Sequence, residues 1–389
     1  MIRHLLLFLF LGIGASRSIG APLEFNIPVS KTPVPSLVQI ALPGTRCAAV
    51  SDSQSLLAIG HHASNGMHIS IYTLDATGTP SVAPAAQVAL PTSPALQKSE
   101  NYPISVAFHP TLPLLYVWQD INAPEMPAAQ DDKNPVYKEF DHLLIYAVKG
   151  GGSLQLVQSL ARGPGFAYKQ TLGKLEVDPI NQRLFLPNLR VPKALMDATA
   201  SVGYYSLDVQ GMPARTASQP TPTPKVLTPL VAYPVGLGFA GASKDAVIVG
   251  AQDGPIVWEF DNRRVNASKI YFHNAAGLWV SGHPKLPLVY MAGNNTPKVF
   301  CMEHVDGFLT LLPQRVTVDG ASFQSAPVVM TKQNRIAVGG INFVYTFKLD
   351  ATGRLTTEME QSPLSQARVS ALAYSEKLDR LYVGVDLLK

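Results

Sequence analysis

One short phrase recurs along the whole chain, and it limits what the chain can fold into more than any bulk property does. Residues 106–117 read Val-Ala-Phe-His-Pro, four residues, then Leu-Tyr-Val. The pattern returns as Leu-Glu-Val-Asp-Pro…Leu-Phe-Leu at 175–186 and Val-Ser-Gly-His-Pro…Val-Tyr-Met at 280–291. A fourth copy, Leu-Ala-Tyr…Leu-Tyr-Val, occupies 372–383, and looser copies lie at 48–59, 237–249 and 328–338. Each copy is two β-type runs joined by a polar turn. A period of roughly 40–70 residues with such units marks repeats that bury their faces only against one another, as blades around an axis do.

The second unit is the easiest to divide. Its sequence predicts strands at 104–108, 114–118, 142–148 and 154–160, with Gly/Pro punctuation between them. The hairpin between third and fourth strands recurs at 69–79, 204–213, 299–307 and 344–353. Asp-Ala-Thr-Gly stands in it twice, at 75–78 and 350–353, and its Gly suits the positive-φ position of such a turn. Seven inner strands are expected, beginning near residues 46, 104, 173, 235, 278, 326 and 370. The seventh unit holds only two strands, at 368–385, whereas two unassigned runs, 23–29 and 36–42, precede the first inner strand. The expected architecture is therefore all-β: a seven-bladed β-propeller over residues 22–389, its ring closed by N-terminal strands that complete the last blade as its third and fourth strands. Closure of this kind removes exposed sheet edges. The competing expectation is a longer protein cut at Lys389, with the N-terminal strands as an arm.

Composition agrees with one large β body. Hydrophobic residues make up 47% of the chain and charged residues 15%, enough apolar surface for extensive buried sheet. The formal charge of +4 is small and Lys and Arg are scattered, which argues against a nucleic-acid footprint. Arg3, the apolar run 5–13 and small residues through Ala21 have the order of a secretory signal peptide, residues 1–21. That run is too short to span a bilayer, and no later stretch approaches the required length, so the mature chain is expected to be secreted or periplasmic, without an integral membrane segment, and monomeric; an uncleaved, membrane-tethering anchor is the competing expectation. Cys47 and Cys301 fall in non-adjacent units, which predicts two free thiols rather than a disulfide.

The repeated His-Pro/Asp-Pro…Leu-Tyr-Val unit, followed by a Tyr-x-Leu/Val-Asp/Lys-x-x-Gly hairpin, resembles the seven-bladed lactonase-like and YVTN-repeat propellers, which include bacterial 6-phosphogluconolactonases. The resemblance covers most of the mature chain. Its motifs build blades and carry no catalytic signature. It implies the fold and, for lactonases of this group, hydrolysis of a sugar lactone at the central looped face. The long insertions in the second and third units depart from the family's regular blades.

Ligands of such rings are expected at the channel mouth, on the face where outer strands cross to the next inner strand. Aligning the units puts Arg46, Tyr102, Tyr233, Gln324 and Arg368 just before or at inner strands on that face. Tyr, Gln and Arg offer planar and hydrogen-bonding groups to a small polar molecule or a partner chain. Two long connections, 119–141 and 188–202, add Asp120, Glu139 and Arg190 as rim candidates, unless the acidic and basic loops pair with each other. His61 and His62 lie on the same face. One of them could activate water beside a lactone carbonyl, with an arginine stabilising the oxyanion; a surface His-His pair is the plainer alternative. His109 and His283 belong to the repeated turn and are structural on that ground. No Cys-x-x-Cys, helical His-x-x-x-His, Gly-x-Ser-x-Gly, phosphate loop or dinucleotide fingerprint occurs, so neither metal nor cofactor is expected. Two functions remain open: an exported binding propeller, and a lactonase-like hydrolase.

Overall fold

The structure, a computed structural model, describes residues 23–27, 37–63, 66–90, 104–119, 141–161, 175–189, 199–215, 225–226, 231–232, 236–239, 241, 246–251, 254–259, 265–267, 278–293, 297–305, 308–318 and 321–387. Among them every element is a β-strand except two single 3-10 turns, Gly150–Gly152 and Thr331–Gln333. The tyrosines 102 and 233 and the rim candidates Asp120, Glu139 and Arg190 lie outside the described residues.

The strands form six sheets. The first sheet is the meander Thr45–Ser51, Leu56–Ala63, Gly66–Thr73 and Ala86–Ala89. The second is Ile104–Phe108, Leu114–Gln119, Asp141–Val148 and Leu154–Ala161, within a residue of the strands the sequence predicts. Sheets starting at Glu176–Asp178, Gly236–Phe239 and Leu278–Gly282 follow in chain order. The last sheet has seven strands because Leu355–Ser375, 21 residues long, serves two groups. Its first part pairs with Ile341–Leu349, beyond which lie Arg335–Gly339 and Val328–Met330. Its second part pairs with Arg380–Leu387. The joint is marked by Gln366 at φ 46°, beside Asn342, whose Oδ1 accepts the Ala367 N–H at 3.0 Å.

The N-terminal strands do pair with the C-terminal group, in an order that differs from the expected one. Leu37–Ala41 lies third, parallel to Arg380–Leu387, and Leu23–Ile27 takes the outer edge. Burial explains the choice: Leu37, Val38 and Ile40 are each 1% exposed, as suits a strand covered on both faces. Only Leu42, Pro43 and Gly44 then separate this strand from the first inner strand, so the outer edge is beyond its reach.

Packing between groups follows the two-residue period of a strand. On one face of the first sheet, Ala58, Met67, Ile69 and Ile71 pack with Ile104, Val106, Leu115 and Val117 of the second. On the other face, Leu57, Ile59 and Tyr72 pack with Val38, Ile40, Leu42, Ala373 and Tyr382, which come from the two ends of the chain. Each fully buried aliphatic here contributes about 1.5–3 kcal/mol of transfer free energy.

The repeated phrase has a repeated physical purpose. The Tyr of the second strand donates its hydroxyl hydrogen to the turn glycine of a neighbouring unit: Tyr116 to Gly211 O at 2.7 Å and Tyr290 to Gly353 O at 2.6 Å. Tyr382 does the same to Gly78 O at 2.9 Å, across more than three hundred residues of chain. The receiving turns share one design. Asp75 Oδ1 accepts the Thr77 and Thr79 N–H groups at 2.8 and 2.9 Å, Asp350 Oδ1 accepts those of Thr352 and Arg354 at 2.8 and 3.0 Å, and the glycines have φ between 78° and 83°. The His-Pro and Asp-Pro turns are likewise acceptor sites. His109 Nδ1 takes the Leu112 N–H at 3.0 Å, His283 Nδ1 that of Leu286 at 3.0 Å, and Asp178 Oδ1 that of Asn181 at 3.1 Å. Burial holds both histidines below the ordinary imidazole range, which keeps the accepting nitrogen unprotonated.

Candidate functional site

The site is built where inner strands begin. Arg46 stands near the start of Thr45–Ser51, and Arg368 stands where Leu355–Ser375 passes into its second group. Between them lies Asp386, near the end of Arg380–Leu387 and directly opposite Arg368 in the register. Asp386 Oδ2 accepts from Arg46 Nη1 at 3.1 Å, and its Oδ1 accepts the Gly44 N–H at 3.0 Å. Gly44 has φ 63°, and a Cβ there would fall 2.6 Å from the Cβ of His62, so the close approach requires glycine. Ser370 Oγ donates to Thr45 O at 2.6 Å, tying the two inner strands together just beneath the charges. Arg46 and Asp386 are mostly covered, at 17% and 23% side-chain exposure, whereas Arg368 is exposed.

Gln324 sits one unit further round. Its backbone N–H donates to Gly339 O at 2.7 Å and its Nε2 to Ser322 Oγ at 2.8 Å. The next residue along, Gly340, accepts the Val369 N–H at 3.0 Å, so Gln324 and Arg368 flank one glycine pair. A Cβ on Gly339 would lie 2.3 Å from Val369 Cγ1, and one on Gly384 would lie 2.7 Å from Thr45 Cγ2. These second-strand glycines let the neighbouring inner strand nest against the sheet. Arg46, Gln324 and Arg368 are thus brought to one end of adjacent strand groups.

His61 and His62 go different ways, as adjacent strand residues must. His61, 3% exposed, shares the face of Leu57 and Ile59, and its Nε2 is 2.9 Å from Ser70 Oγ. The ring of His68 stacks on it at 5.8 Å, and Gln87 Nε2 lies 3.4 Å away. Burial pushes the His61 imidazole down to about 4, with smaller contributions from His68 and His62. It is a neutral, enclosed group with Ser70 as partner. His62 occupies the opposite face, beside Gly44, and pairs with Met67 in the register.

Both thiols are free. Burial raises each to about 12, so neither is a thiolate at neutral pH. Among the described residues no group of His, Cys, Asp or Glu is placed to hold a metal ion, and no helix is long and apolar enough to cross a membrane.

Asp386 is the residue at this end that sequence reasoning missed. It follows Leu-Tyr-Val-Gly-Val in the last copy of the phrase. A polar residue at the end of a second strand faces the same end as the start of an inner strand, and that alternation was the available signal.

Sheets of this kind, arranged as successive units in mutual contact, define a β-propeller. No protein-family model matches the chain. No curated protein sequence matches it. Solved structures of similar fold include a periplasmic gluconolactonase from Pseudomonas aeruginosa, 14% identical, TM-score 0.53, covering 86% of this chain and 96% of that one. A Bacteroides fragilis protein provisionally assigned as a 6-phosphogluconolactonase is 11% identical, TM-score 0.57, with 84% and 85% covered. The β-propeller domain of Swd1 from Myceliophteria thermophila is 12% identical, TM-score 0.52, with 86% and 91% covered. Lactonase-like propellers are therefore among the proteins this chain resembles in fold.

Proposed function

We propose that the chain is an exported, monomeric seven-bladed propeller, closed into a ring by its N-terminal strands, that recognises a small polar ligand or partner chain at the end bearing Arg46, Asp386 and Arg368. Export rests on the Arg3, 5–13 and small-residue order of the first twenty-one residues. Seven blades are supported by dividing the seven-stranded sheet at Gln366 into two groups beside the other five sheets. Closure is supported by Tyr382–Gly78, the same bond that Tyr116 and Tyr290 make between other units.

The observation that carries the binding function is the shared carboxylate. Asp386 fixes Arg46 and neutralises it, which leaves the exposed Arg368 guanidinium as the donor presented outward. A planar fork of N–H donors matches a carbonyl or carboxylate. Calorimetric titration with polyhydroxy acids and their lactones tests this. Arg368→Ala is expected to weaken binding about 10- to 150-fold, the equivalent of a charged hydrogen bond, with unchanged thermal stability. Equal affinity in the variant would refute the assignment.

A lactonase-like hydrolase is the second reading, favoured by the names of two fold neighbours. Water attack on a lactone needs a base and an oxyanion donor. Arg368 and Arg46 suit the donor role. Among the described residues, the carboxylate placed with them, Asp386, accepts from donors on both oxygens, and His61 is engaged with Ser70, so the arrangement favours binding. Acid release from a lactone panel that disappears in His61→Ala or His62→Ala would reverse this order.

A further inference from the structure

We propose that the seam between the first and last units is an acid-sensitive latch, opened by protonation of the buried His61. The proposal rests on the closed-ring reading. It begins from an enclosed polar cluster on the face of the first sheet that meets the last unit. The face of the first sheet that packs on Val38, Ile40, Leu42, Ala373 and Tyr382 is carried by Leu57, Ile59 and Tyr72. Further along their two strands on the same face come His61, Ser70 and His68, with Gln87 opposite Ser70 on the fourth strand. His61, His68 and Ser70 are 3%, 4% and 1% exposed.

The cluster accommodates a neutral imidazole and offers little to an imidazolium. Both nitrogens of a protonated ring must donate. His61 Nδ1 has no hydrogen-bond partner among the described residues. Ser70 Oγ, 2.9 Å from Nε2, already receives the Gln87 amide at 3.2 Å. His68 Nδ1 is committed to Gly66 O at 3.0 Å, and its ring lies against His61.

Among the described residues, the carboxylates on the packed elements are each engaged by other donors. On its own strand the neighbour is His62, on the third strand it is His68, and the fourth strand presents the uncharged Gln87. The first strand brings Arg46 and the turn after it Asp52, and the elements across the seam bring Arg368, Asp386 and Tyr382; Asp52 accepts from Ser375 and Lys377. Asp386 is occupied by Arg46 and the Gly44 N–H, and Tyr382 donates to Gly78. Parting the seam exposes to water the sheet face that carries His61. It breaks a few identifiable bonds: Asp386 to Gly44 and Arg46, Ser370 to Thr45, Tyr382 to Gly78, and Ser375 to Asp52.

Burial holds His61 at about 4 in the closed state, against 6.5 for an exposed imidazole. The neutral form is the one the closed seam favours. Its stability is therefore complete above pH 6.5 and is lost progressively as pH falls toward 4. Between pH 7.5 and pH 5 these two values imply a rise of about thirtyfold in the fraction of open seam.

Hydrogen exchange of the full mature chain at pH 7.5 and 5, corrected for intrinsic rates, reads this directly. Peptides covering 37–42 and 380–387 are expected to exchange 10- to 50-fold faster at the lower pH, relative to peptides from 288–305. In His61→Gln the difference should shrink to within about twofold. Should that variant not fold, the wild-type imidazole resonance serves instead: the His61 Cε1 proton must titrate below about pH 5, and the rise in seam exchange on acidification must level off once it has titrated. Protected seam peptides at both pH values would overturn the latch and leave the ring intact. Unprotected seam peptides already at pH 7.5 would overturn the closed ring and the latch with it. Retained pH dependence in His61→Gln would assign the effect to another group.

Discussion

Removing one hydroxyl from each of three tyrosines separates a closed ring from an open array. Tyr116, Tyr290 and Tyr382 are 0% exposed, and the glycine each one bonds, Gly211, Gly353 or Gly78, is also buried. Phenylalanine in place of any of them keeps the ring packing and leaves a buried carbonyl without its donor. The cost of an unsatisfied buried acceptor is about 1–3 kcal/mol. Tyr116 and Tyr290 join units that are also neighbours in the chain, whereas Tyr382 joins the last unit to the first. In a closed ring the three variants are comparable, because each breaks the same bond to a buried turn glycine. All three should then lose about 1–3 kcal/mol in urea unfolding followed by tryptophan fluorescence, and should agree within about 1 kcal/mol. In an array whose ends do not meet, Gly78 would be solvated and Tyr382→Phe would cost almost nothing. A loss below about 0.3 kcal/mol for Tyr382→Phe beside full losses for the other two would refute the reasoning.

Two further expectations concern packing and processing. Gly339→Ala puts a Cβ 2.3 Å from Val369 Cγ1, a branched side chain that cannot swing aside, and should destabilise the fold by about 1–3 kcal/mol, readable as a lowered urea midpoint. Intact-mass analysis of exported protein should find the chain starting between about residues 17 and 22; full-length protein in the cytoplasm would contradict export.

What the sequence disclosed was whatever the chain encodes locally. The His-Pro turn and the Asp-Ala-Thr-Gly hairpin each complete their hydrogen bonds within four residues, so their residue types alone reveal them. Strand positions followed from the same punctuation. The order of the two N-terminal strands did not, because both are short apolar runs and only their burial between other strands decides which lies inside. Leu355–Ser375 was hidden for a related reason: Pro363 reads as a break, yet it stands exposed in the strand opposite Phe343. The placement of Arg46, Gln324 and Arg368 at one end of neighbouring strand groups was legible from blade register. The charge balance among them was not, since it depends on Asp386, some 340 residues from Arg46. Which of two adjacent histidines turns toward the seam is fixed by the faces of the sheet, and no local pattern records that.

The claim that the Arg46–Asp386–Arg368 end is the recognition site is tested most directly by crystallography of the mature chain soaked with polyhydroxy carboxylates and their lactones. Ligand density within hydrogen-bond reach of the Arg368 guanidinium, with Asp386 still bound to Arg46, is the expected result. Density instead at the opposite end, against the turns of Gly78, Gly211 and Gly353, would contradict it.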